Sequence, residues 1–108
     1  MAKQTRYEVT FSDGQANVLC TTRVVVNELR FRIEVTEMGY DLSSPNRVED
    51  LARLRKGWAM SAAIRKVYGQ KCYFKHDPNC HHVGDVYEAR ADGNHNVSGF
   101  VSINAEQC

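Results

Sequence analysis

Five side chains able to ligate a metal fall within eleven residues of this chain: Cys72, His76, Cys80, His81 and His82. Thiolate and imidazole together suit zinc, whose structural sites take four such ligands in a tetrahedron. Asp77-Pro78-Asn79, in the middle of the stretch, is turn chemistry, and Pro78 argues against a continuous helix. On an extended strand Cys72 and His76 share a side, and a turn can return Cys80 and His82 towards them. The expected ligand set is therefore Cys72, His76, Cys80 and His82, with His81 in reserve. Two readings compete with it, because the tight Cys-x2-Cys spacing of zinc knuckles is missing. One is a solvated loop between strands with Cys72 as a small core residue; the other is a Cys72–Cys80 disulfide.

His81-His82 followed by Asn94-His95-Asn96 resembles the active-site residues of the HNH nucleases. The resemblance implies a metal-dependent nuclease in which His82 is the base that activates water and Asn94 orients it. Residues 97 to 103 read as strand where that family places its closing helix, and no histidine follows His95. Cys80 beside His81 or His82 supplies the residue types for thiol catalysis, but sequence neighbours rarely form such pairs. The chain has no Gly-rich phosphate loop and no Gly-x-Ser-x-Gly. The balance is against an enzyme.

A second group of residues suits contact with a macromolecule. Arg55, Lys56, Trp58 and Arg65 lie in one helical stretch, and Arg and Trp are favoured anchors at interfaces. The competing reading is a solvated helix whose basic side chains cover apolar neighbours. Arg55 is the exception, because it falls inside an apolar arc and is expected to pair with a carboxylate or sit at an interface.

The elements that would position these groups follow from periodicity. Tyr7, Val9 and Phe11 alternate with polar residues, Asp13-Gly14 is hairpin-turn sequence, and a return strand runs to Cys20. Residues 21 to 39 fit either a strand with Leu29, Phe31, Ile33 and Val35 on one side, or a helix with Leu29 and Ile33 on its stripe. That helix would be capped by Thr22 and stopped at Gly39. Asn46 and Glu49 make a capping box for a helix from Val48 to Tyr68, whose apolar stripe changes side at Gly57 and predicts a kink or break at Lys56-Gly57. A short strand over 71–75, a hairpin over 85–103 across Asp92-Gly93-Asn94 and a frayed tail from Asn104 to Cys108 complete the reading.

The 108 residues suit a single α+β domain with an N-terminal β-hairpin, a kinked or broken central helix and a C-terminal antiparallel β-hairpin. A formal charge of +1 excludes a general electrostatic case for nucleic acid or an anionic membrane. No apolar run reaches the roughly 20 residues of a membrane span, and no apolar signal region follows Met1. The expected location is the cytoplasm, with the four cysteines reduced or holding a metal. The expected function is a small non-enzymatic binding or regulatory protein acting on a protein partner. In size and style it is similar to the inhibitors of host proteins carried by phages and mobile elements. The alternatives are a zinc-containing nucleic-acid-binding module, with Arg55, Lys56 and Arg65 on phosphates, and the HNH-like nuclease. An exposed edge strand and Trp58 would also suit a homodimer.

Overall fold

A computed structural model of the protein describes residues 4–40 and 48–108. The elements are β1 (Gln4–Ser12), β2 (Val18–Asn27), α1 (Glu28–Glu37), α2 (Val48–Val67), β3 (Cys72–Asp77), β4 (Cys80–Arg90) and β5 (Gly93–Gln107). The strands form one antiparallel sheet in the order β2-β1-β5-β4-β3. Both helices lie on one face of it. Tyr7, Val9 and Phe11 of β1, Val24 and Val26 of β2, and Val101, Ile103 and Ala105 of β5 are buried there with Phe31, Val35, Ala59, Ala63 and Ile64 of the helices. The α+β architecture predicted from periodicity is the observed one.

The N-terminal hairpin forms as expected, but its turn works differently. Asp13 Oδ1 accepts from the backbone N–H groups of Gln15 and Asn17 at 2.8 and 2.9 Å, and Ala16, not Gly14, takes the positive φ of 64°. The side chain of Asp13 thus organises the loop.

Residues 21 to 39 are strand first and helix afterwards. The β-branched run Val24-Val25-Val26 carries β2 to Asn27, whose Oδ1 accepts from the Arg30 N–H at 3.1 Å and starts α1. The cap is Asn27 and not Thr22. The buried face of α1 is Phe31 and Val35, whereas Leu29 and Ile33 are exposed, the reverse of the helical stripe read from sequence. The stop at Gly39 is as predicted: Gly39 has φ 93°, its N–H reaches Thr36 O, and the Tyr40 N–H reaches Val35 O.

The helical portion is divided in two, but not at Lys56-Gly57. Helix α2 runs unbroken through Gly57 over 20 residues, and the division falls between α1 and α2. Its two apolar stripes are served by two partners. Small Ala59 and Ala63 bring it against the sheet, while Trp58 meets Phe31 of α1 edge to face at 5.3 Å between ring centroids. Asn46 and the connector over 41–45 lie outside the described residues.

The tail is not frayed. Strand β5 pairs with β1 as far as Tyr7 opposite Gln107, and the Cys108 N–H donates to Arg6 O at 2.9 Å. Strands β3 and β4 turn back on each other at Pro78-Asn79, with Asp77 paired to Cys80 and the Asn79 N–H bonded to Asp77 Oδ1. Among the described residues no helix is long and apolar enough to cross a membrane.

Candidate functional site

Strand β2 ends the sheet, so one of its sides has no neighbouring strand. The Arg6 carbonyl bonds to Cys108, which turns the even residues of β1 towards β5 and the odd ones towards β2. By the register, the backbone groups of Thr21, Arg23 and Val25 then point to the open edge. The Arg23 carbonyl does so visibly, accepting from Lys66 Nζ of α2 at 2.9 Å. Lysine over a sheet edge is a familiar guard against unwanted strand pairing.

Beside the end of this edge lies a groove of about 500 Å³, walled by Val25 of β2, Arg30 and Glu34 of α1, and Trp58, Ala62 and Arg65 of α2. Asn27, which ends β2 and caps α1, lies in its lining between residues of both elements, with α2 completing it. Arg30 and Arg65 are exposed and make no ion pair among the described residues. The groove therefore joins an aromatic wall, free guanidinium groups and an open strand edge.

Of the four residues expected to contact a partner, Trp58 and Arg65 line this groove, and Lys56 is exposed outside it. Arg55 has the carboxylate partner its position demanded. Its Nε and Nη2 donate to Glu28 Oε1 and Oε2 at 2.8 and 3.0 Å, and its guanidinium carbon lies 5.0 Å from the centre of the Phe31 ring. Burial works against the charge of Glu28, but the Thr5 hydroxyl, the Arg55 hydrogen bonds and charge, and the Arg32 charge together hold its carboxyl below the usual glutamate range. Arg55 positions the groove and is not free to meet phosphate. Val25, Arg30 and Glu34 were not singled out by sequence, since the groove needs three elements brought together.

The histidine- and cysteine-bearing stretch occupies β3, the Pro78-Asn79 turn and the start of β4. Cys72 is buried in the core at 5 % exposure, and burial, followed by the nearby Glu88 charge, pushes its thiol up. It stands four residues from His76 along an extended strand, about 13 Å away, so the structure does not bring it to the other predicted ligands. All four cysteines are free, and Cys72 pairs with Glu88 while Cys80 pairs with Asp77.

Two pairs do form. Cys80 Sγ lies 3.3 Å from His82 Nδ1, and the His76 and His81 rings meet at 4.8 Å. A bulge makes this possible: His76 is opposite Gly84 and Asp77 opposite Cys80, leaving His81, His82 and Val83 as extra residues on β4. Gly84 is required there, because a Cβ would stand 2.2 Å from the Lys75 carbonyl oxygen. Among the described residues, no group of three ligands is arranged to hold a metal.

His82 and Asn94 are not brought together as the nuclease resemblance requires. Asn94 pairs with Ala89, seven residues along β4 from His82, a separation of about 23 Å on an extended strand. His95 Nε2 instead meets Asp92 Oδ1 at 3.0 Å, and residues 97 to 103 are strand. Searches against protein-family models, curated proteins and solved structures find no match to this chain.

Proposed function

We propose that this is a non-enzymatic binding or regulatory protein that acts by contact with a protein partner, and that the contact is made at the β2 edge and its groove. The supporting observation is the meeting of the free edge at Val25 with Trp58, Arg30 and Arg65 in one concave surface. An extended segment can add to such an edge through main-chain hydrogen bonds, while alternate side chains enter the neighbouring pocket. The residues here select the segment: an apolar side chain against Trp58 and Ala62, followed by a carboxylate for Arg65 or Arg30. An inhibitor that occupies a host protein in this way is the form of the function that suits a chain of this size.

The test is capture of partners from the native host with a photo-crosslinking residue at position 25, alongside the Arg65→Glu variant. A discrete protein crosslinked from position 25 and retained at least tenfold less by Arg65→Glu supports the reading. Equal retention by both proteins, or crosslinking from position 73 on β3 at the other edge of the sheet instead, overturns it.

A further inference from the structure

We propose that the groove beside β2 receives the C-terminus of a partner protein, with the α-carboxylate between Arg30 and Arg65 and an apolar last side chain against Trp58 and Ala62. This rests on the β2 edge and its groove being the contact surface. Lys66 limits how much of that edge a partner can use. Its ammonium holds the Arg23 carbonyl at 2.9 Å, on the side where β2 has no neighbouring strand. Between that guard and Asn27, where the chain turns into α1, Val25 presents its backbone N–H and C=O to the open side. So short a ladder suits the end of a chain better than a long strand.

Beyond Asn27 the protein is helix. A partner chain continuing past this point would enter the groove with its own N–H and C=O groups unmatched, which is costly away from water. A chain that stops there arrives with a carboxylate in line with its backbone. A side-chain carboxylate on a paired strand stands out from the sheet instead. The occupant therefore runs parallel to β2.

The charges fit a single carboxylate. Arg30 and Arg65 make no ion pair among the described residues, and Glu34 shares the groove wall with them. Two guanidinium groups against one carboxylate leave one positive charge in excess. That matches a terminal carboxylate held by charge-assisted hydrogen bonds. It does not match a phosphate group, whose roughly two negative charges Glu34 would repel.

Two peptide libraries with the last four residues varied, one of free acids and one of C-terminal amides, test the assignment on the full chain. The best sequence is then titrated by the fluorescence of Trp58. The expected result is retention of free acids that end in an apolar residue. Amidation, or extension of the end by Gly-Ser, should weaken binding at least about tenfold, as should Arg30→Ala or Arg65→Ala. Both arginines are exposed, and circular dichroism of the variants separates lost binding from unfolding. Equal binding of acid and amide overturns the terminal assignment, and the edge reading survives it if position 25 still crosslinks a partner. Retention of no peptide from either library also overturns the assignment, and the crosslink from position 25 then decides whether the edge reading falls with it.

Discussion

Arg55 holds Glu28 with two hydrogen bonds, of 2.8 and 3.0 Å, and so ties the middle of α2 to the residue at which β2 becomes α1. Both side chains are largely withdrawn from solvent, with 23 % and 12 % of their surface exposed. Taking away one partner leaves the other partly buried and unpaired. Glu28→Gln is expected to destabilise the protein by about 2–3 kcal/mol at pH 7, somewhat less than for a fully buried pair, measured by urea unfolding.

The same pair sets a pH dependence. The Glu28 carboxyl is held below its ordinary value in the folded state. Its contribution is therefore fully present above the ordinary glutamate value of about 4.3 and is lost as pH falls below it towards the folded-state value. The stability gap between wild type and Glu28→Gln should be constant from pH 7 to 5 and shrink below pH 4. A gap that widens on acidification would contradict this account.

Trp58 and Arg65 should separate stability from binding. Trp58 is half-buried against Phe31, so Trp58→Ala is expected to cost about 2 kcal/mol. Arg65 is exposed and makes no ion pair among the described residues, and Arg65→Ala should change stability by less than about 0.5 kcal/mol. Trp58 is the sole tryptophan, so its fluorescence reports the groove directly. A bound acidic segment should shift its emission in wild type and do so at higher concentrations in Arg65→Ala.

Much of this framework is local and could be read from the chain. The alternation of Tyr7, Val9 and Phe11, the turn at Pro78, the stop at Gly39 and the need of Arg55 for a carboxylate each depend on a few neighbouring residues. What was missed depends on distant ones. Residues 21 to 39 satisfy both periods because β2 hands over to α1 at Asn27 within the run. Phe31 and Val35 face inwards because α2 lies on that side, which no local period encodes. Asn104 to Cys108 look like a polar tail until β1 is placed beside them. At the hairpin tip the ligand types were plain, but not the bulge that pairs Cys80 with His82 and leaves Cys72 in the core.

Gly84 makes that bulge possible. A Cβ there would lie 2.2 Å from the Lys75 carbonyl oxygen and 2.8 Å from the His76 Cα, both backbone atoms that move only with β3. Gly84→Ala is expected to cost about 2–3 kcal/mol as an overpacking strain, read from thermal or urea unfolding. It should also separate β3 from β4 at His76, whereas Gly57→Ala, where a Cβ meets nothing within 4 Å, should stabilise helix α2 by about 0.5–1 kcal/mol.

Lys66 offers the sharpest view of the β2 edge. Its ammonium donates to the Arg23 carbonyl at 2.9 Å, on the side where β2 has no neighbouring strand. The bond is exposed and contributes little to stability, so Lys66→Ala should unfold within about 0.5 kcal/mol of wild type. Its consequence lies elsewhere. Without the ammonium, the Arg23 carbonyl joins the backbone groups of Thr21 and Val25 as a continuous open ladder, bordered by exposed Leu19 and Val25. Such an edge pairs with any extended chain, including a second copy of itself. Sedimentation velocity should show Lys66→Ala associating at protein concentrations where wild type sediments as a smaller species. Lys66→Arg, which keeps a cation over the carbonyl, should restore the wild-type behaviour. Equal association of all three proteins would mean that Lys66 does not guard the edge.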